Sequence, residues 1–228
     1  MKKLVLLIAG ITLLLNTSLA QSFHRRAFVI DFGIGANLSK IVTSQEYNAQ
    51  IGHGSNTQTI RIKKDTTDNS GGIVFPLTLE YGLKNWLGIT CRASYTKYFA
   101  GKDSLTGIKP DVRGIDGGLG LNLHVIKTKR FDMPIGITLG YSNFQSISND
   151  SINSVAKDHG FNYGFAIVPR IYFAGHIGLS INLGYMAYTY PSVLFSNKND
   201  SNINDNNNRI FKLKESGANI GVGLVIKI

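Results

Sequence analysis

Ile73-Val74-Phe75-Pro76-Leu77-Thr78-Leu79-Glu80-Tyr81-Gly82-Leu83 alternates with period two: its odd positions are all apolar or aromatic, and its even ones are Val74, Pro76, Thr78, Glu80 and Gly82. Period two marks a β-strand with unlike faces. Seven other stretches read the same way, which predicts eight strands at 27–39, 72–83, 86–98, 114–125, 131–143, 160–173, 177–189 and 209–228. On this reading the apolar face carries no Lys, Arg, Asp or Glu, although these types make up 17% of the chain. A soluble barrel turns its apolar face inward and its charge outward, whereas a membrane barrel keeps a polar interior and an apolar exterior. The expected fold class is all-β, a closed antiparallel eight-stranded transmembrane β-barrel.

Strand lengths and connections point the same way. A tilted strand needs about 9–11 residues to cross the hydrocarbon, which most of these stretches exceed slightly. Long connections are expected at 40–71, 99–113, 144–159 and 190–208, and short ones at Lys84-Asn85, Ile126–Arg130 and Ala174–His176. They alternate without exception, as in barrels with short periplasmic turns and long outer loops, so both termini are expected on the periplasmic side. Strict period two and frequent glycine disfavour helices.

Residues 1–20 read as a secretory signal peptide, with Lys2 and Lys3, an apolar run from Leu4 to Leu15, and Ser18-Leu19-Ala20 before Gln21. The barrel domain is expected over 21–228, in the outer membrane. The chain is basic, with a formal charge of +10. Its positive residues sit in expected loops and turns (Arg61, Lys63, Lys64, Lys84, Lys102, Lys127, Lys129, Arg130) rather than on one stripe. That favours lipopolysaccharide or lipid headgroups over nucleic acid. Cys91 is the single cysteine, on the apolar face beside Ile89 and Ala93, so no internal disulfide is available and a packing role is expected.

Aromatics sort to the two strand ends, where amphipathic rings favour the headgroup level. Phe28, Tyr81, Trp86, Phe131 and Phe173 lie near the short turns, and Tyr95, Tyr98, Tyr141, Phe161, Tyr163 and Tyr185 toward the long connections.

The opening strand Phe28–Leu38, the strand-turn-strand Leu79-Glu80-Tyr81-Gly82-Leu83-Lys84-Asn85-Trp86-Leu87-Gly88-Ile89 and the closing Asn219–Ile228 resemble the outer-membrane β-barrel domain family. This family comprises the small eight-stranded OmpA-like, OmpX-like and PorT-like barrels. The resemblance covers the whole chain after residue 20 and implies insertion by the barrel-assembly machinery, which reads the last strand. Ile228 departs from the aromatic residue that often ends it. A PorT-like part in secretion is implied by resemblance alone.

Inward positions are rich in glycine (Gly33, Gly35, Gly118, Gly120, Gly136, Gly140, Gly164, Gly184, Gly221, Gly223), which suits an interior just wide enough for side chains. Counted from the short turns, Glu80, His124, Asp132 and Arg170 fall in one layer with Asp31, and Arg92, Asn122 and Asn182 one layer higher. Opposite charges in a narrow lumen should pair and seal it; a narrow ion channel with a rearranging gate is the alternative. His53-Gly54-Ser55-Asn56 looks like the H-x-S-N of outer-membrane lipid A deacylases, but it falls in an expected loop and no orienting acid is identifiable. No cofactor or metal site and no catalytic residue are expected. The predicted role is a non-enzymatic barrel acting in envelope structure or in binding through its outer loops. Arg61, Lys63 and Lys64 are the binding candidates, toward lipopolysaccharide, a host surface or another envelope protein. A lipid A-modifying enzyme is the rival reading.

Overall fold

The computed structural model describes residues 22–51, 58–101, 107, 109–148, 154–173, 176–197 and 210–228. The expected signal peptide, Lys102 and the His53–Asn56 fragment lie outside the described residues. Ten strands form one antiparallel sheet: β1 (Phe28–Ile51), β2 (Gln58–Lys84), β3 (Leu87–Tyr98), β4 (Asp111–Lys127), β5 (Phe131–Ile147), β6 (Ser154–Ile167), β7 (Arg170–Tyr172), β8 (Ile177–Tyr190), β9 (Leu194–Asn197) and β10 (Ile210–Lys227).

Eight staves close into a ring, in the order β1, β2, β3, β4, β5, β6 with β7, β8, β10. β10 returns to β1 in unbroken register from Val29↔Lys227 to Glu46↔Ile210. Closure satisfies backbone donors and acceptors without leaving a sheet edge in the wall.

The stave expected at 160–173 is divided into β6 and β7. Ile135↔Ile167 and Asp132↔Arg170 belong to one continuous register, so the division is a local loss of pairing. Pro169 lacks an N–H, and so does Pro134 across the gap, so the ladder is interrupted there. Val168 still donates to the Pro134 carbonyl at 3.0 Å, which keeps the stave in line.

Outside, Ile, Leu, Val, Phe and Tyr form a continuous exposed band. Leu119 is 62% and Leu139 68% exposed, and the two are directly paired across β4 and β5. A contiguous apolar surface of this kind is stable against hydrocarbon rather than water. Tyr81, Trp86, Phe173, Tyr95, Tyr141, Tyr163 and Tyr185 are exposed on this surface, while Phe28 and Phe131 are half-buried.

Several expectations need correction. The segment 40–71 is largely strand: β1 runs to Ile51 and β2 starts at Gln58, paired from Ile51↔Gln58 downward. Its apolar alternation ends near Leu38 because the ribbon has left the membrane, yet Ile41, Val42, Thr43, Thr66 and Thr67 keep the β-branched character that suits strands. The outward face is charged at its long-connection end, by Lys97, Lys212 and Lys214. Lys97 is ion-paired with Asp111, both partly exposed. Tyr98 does not join the aromatic belt; it points inward and is buried.

Candidate functional site

The short-turn half of the lumen gathers Asp31, Glu80, His124, Asp132 and Arg170 from β1, β2, β4, β5 and β7. Alternation sends each of these side chains inward, and a bulge between His124 and Ile126 adjusts the β4–β5 register beside the cluster. His124 Nε2 lies 2.7 Å from Glu80 Oε1, and His124 Nδ1 lies 2.7 Å from Asp132 Oδ1. Both ring nitrogens thus face carboxylate oxygens, an arrangement met in full by an imidazolium that donates twice. Arg170 donates through Nη1 to Glu80 Oε2 at 2.7 Å, with Asp132 Oδ2 at 3.5 Å and Asp31 Oδ2 at 3.6 Å. Asp31 also accepts from Ser180 Oγ at 2.9 Å.

With both nitrogens held by carboxylates, His124 has none left to activate a nucleophile, so this acid–histidine–acid chain is a brace rather than a base. Desolvated charges cost several kcal/mol each unless they are paired and hydrogen-bonded, and the mutual pairing offsets that cost.

Residues Ser22–Ala27 close the short-turn mouth beneath the cluster. Phe23 is fully buried and stacks on the His124 ring, with centroids 3.4 Å apart and planes within 10°. The segment is pinned by Ser22 N–H to Thr128 O at 2.8 Å, Ser22 Oγ to Phe131 O at 3.0 Å and Arg26 N–H to Gly82 O at 2.8 Å. Phe23 packs with Ala27, Val29, Tyr172 and Val225 in an apolar floor. Strand periodicity gave no sign of this cap, because no alternation precedes Phe28.

Arg92 is not part of the short-turn cluster. It points inward one layer up, and its Nη1 meets Met186 Sδ at 3.7 Å. That half also holds three buried carboxylates that the sequence reading does not single out, Asp116, Asp158 and Glu215. Asp116 accepts from Ser94 at 3.0 Å, from Ser142 and, at 3.4 Å, from Tyr188. Glu215 accepts from Ser39 at 2.7 Å, Tyr98 at 2.9 Å and Asn37 at 3.1 Å. Asp116 and Glu215 sit on the inward parity of β4 and β10, so the alternation through those strands locates them. An apolar roof of Met186, Tyr188, Tyr190, Val193 and Leu213 lies on the long-connection side.

Beyond the band, β10, β1 and β2 continue as a three-stranded ribbon. Arg61 and Lys63 lie on its outward face, and Lys64 lies on the opposite face, so the three loop candidates do not form one patch. Glu46 joins the strands by pairing with Lys212 at 3.1 Å and with Arg61. Those two cations hold the Glu46 carboxyl below the usual carboxylate range, Lys212 contributing most. Asp65 is lowered too, chiefly by a hydrogen bond from Ser44, with Lys63 adding to it. Lys40 and Lys214 extend the same outward face, where cations outnumber acids.

In fold the chain is similar to Neisserial surface protein A, with a TM-score of 0.51 at 11% identity over 89% of this chain and 97% of that one. It is also similar to the outer membrane protein OprG from Pseudomonas aeruginosa, with a TM-score of 0.51 at 13% identity over 90% and 97%. The outer membrane protease OmpT from Escherichia coli is similar at a TM-score of 0.47 and 10% identity over 92% and 99%. No family model and no curated protein sequence matches. At these identities the likeness to the first two shows the architecture of small outer-membrane β-barrels alone, and architecture does not by itself decide function.

Proposed function

We propose that this outer-membrane β-barrel is a sealed, non-enzymatic scaffold that presents its β10–β1–β2 ribbon outside the membrane to bind lipopolysaccharide. The observation that supports the reading is that two side-chain layers cross the lumen: a braced charge cluster floored by Phe23 toward the short turns, and a hydrogen-bonded carboxylate layer with Tyr98, Tyr188 and Tyr190 toward the long connections. An interior of eight staves is filled by side chains, and water-filled channels belong to barrels of about 16 strands. Action must then lie on the outside.

The outward face of the ribbon stands just beyond the apolar band, at the depth where phosphate groups of an anionic outer leaflet would lie. Lys40, Lys63, Lys212 and Lys214 are placed there by strand parity, and surface lysines attract anionic headgroups in a salt-dependent way. Both termini would then be periplasmic, on the short-turn side.

Two measurements test this together. The detergent-refolded barrel should give no discrete current in planar bilayers; steady current would refute the sealed lumen. Lipopolysaccharide titrated into the same preparation should bind, and joint replacement of Lys40, Lys63, Lys212 and Lys214 by Gln should abolish binding while the compact, heat-modifiable gel band persists. Undiminished binding by that variant would remove the outward face of the ribbon as the site.

A further inference from the structure

The two halves of the lumen balance their charge differently. Asp31, Glu80 and Asp132 face Arg170 and the doubly donating His124 within ion-pair reach. The other half holds Asp116, Asp158 and Glu215, all buried, and among the described residues its inward cation is Arg92, whose Nη1 meets Met186 Sδ at 3.7 Å. Among the described residues, Glu215 makes no ion pair, and its three donors are all neutral groups: a serine hydroxyl, a phenol and an amide. An uncompensated carboxylate in such surroundings is costly.

A second observation singles out the place. Asn37 is 3% exposed and its Nδ2 is committed to Glu215, yet among the described residues its Oδ1 has no hydrogen-bond partner. Directly across the β1–β10 ladder, Asn219 Oδ1 is likewise buried and unpartnered. Both orphans are acceptors on the inward face; Asn37 is hydrogen-bonded to Glu215, and Asn219 faces Asn37 across the ladder. Buried acceptors are normally satisfied, so a pair of them next to an unpaired acid asks for a positive centre. Oxygen donors from one carboxylate and two amides suit a hard cation of the calcium type, which takes carboxylate and Asn carbonyl oxygens in flexible geometry.

We propose that the long-connection half of the lumen binds a hard divalent metal cation through Glu215, Asn37 and Asn219. The cation neutralises the acidic layer, and the Met186–Leu213 roof encloses it. It is a structural ion within a closed lumen, and it locks β1 to β10, the seam where the barrel closes.

Tyr98 makes the proposal measurable, because its hydroxyl lies 2.9 Å from Glu215 Oε2 and a phenol can sensitise lanthanide emission. The full chain, stripped with a chelator and refolded in detergent with Tb3+, should show saturable tyrosine-sensitised emission that Ca2+ displaces. Glu215→Gln keeps the side-chain shape and should weaken Tb3+ binding by about tenfold or more; Asn219→Ala, which leaves the carboxylate, should also weaken it clearly. If Glu215→Gln does not yield the compact band, Asn219→Ala carries the test. Absence of saturable emission from the compact wild-type band would overturn the proposal, and so would unchanged affinity in Asn219→Ala. A Glu215→Gln barrel that folds as the wild type does, indifferent to Ca2+, would show that a proton holds this carboxyl instead.

Discussion

Arg170 shows how much can depend on one side chain in a narrow lumen. Its guanidinium reaches Glu80, Asp132 and Asp31 at 2.7, 3.5 and 3.6 Å, so three carboxylates share one fixed cation, with His124 between two of them. Removing one partner of a buried ion set leaves the others desolvated and unpaired, which typically costs about 3–5 kcal/mol. Arg170→Met should therefore lower the unfolding free energy of the refolded barrel, measured by urea titration, by an amount in that range; a change below about 1 kcal/mol would mean that the cluster is solvated in practice. Much of this layer is readable in the sequence, since strand parity and distance from a short turn place Glu80, His124, Asp132 and Arg170 at one height. Phe23 is not readable, because it lies in a non-repetitive segment whose position is set by tertiary hydrogen bonds from Ser22 and Arg26. Asp116 and Glu215 are legible by the same parity, since both stand on the inward positions of their strands.

At the scale of the strand, glycine spacing decides where the wall can close. Gly35 and Gly221 face each other across the β1–β10 seam. A Cβ on Gly35 would stand 2.6 Å from the Ile220 carbonyl oxygen and 3.0 Å from the Gly221 Cα, and one on Gly221 would meet Ile34 O at 2.8 Å. Those neighbours are backbone and can yield only by moving a strand. Gly117, by contrast, points outward with nothing within 4 Å of a Cβ. Gly35→Val should reduce the yield of compact, heat-modifiable barrel severely, whereas Gly117→Ala should leave it unchanged, since removing glycine from a strand relieves a conformational cost of about 0.5–1 kcal/mol. Equal yields would show that the seam tolerates side chains. Element boundaries were less legible than element identity. β1 and β2 run far past the apolar alternation because polar β-branched residues pair well in water, and hydrophobic period reports membrane contact rather than strand length. Pro134 and Pro169 stand at the break between β6 and β7, although the apolar period of that stave, set by its lipid contact, continues through it.

For the molecule as a whole, the decisive property is which face meets which solvent. The apolar band is outside and the acids are inside, so the sign of a mutational effect at an exposed leucine distinguishes lipid from water. Leu139 is paired with Leu119 and Tyr163 near the middle of β5 and is largely exposed. In a water-soluble protein, placing Arg at such a position removes exposed apolar surface and costs little. In a membrane barrel the same change puts a charge against hydrocarbon, at about 2–4 kcal/mol near the midplane and about 0–1 near the interface. Lys97 supplies the native contrast, since it stands on the same outward face at the long-connection end and is tolerated there beside Asp111. Leu139→Arg should destabilise the barrel in lipid vesicles by the midplane amount, and Lys97→Arg should be neutral. Measured by urea titration in the same vesicles, the Leu139→Arg value reports the depth of that position. A Leu139→Arg barrel as stable as the wild type would place this band in water and overturn the membrane assignment on which the sealed lumen and the projecting ribbon both rest.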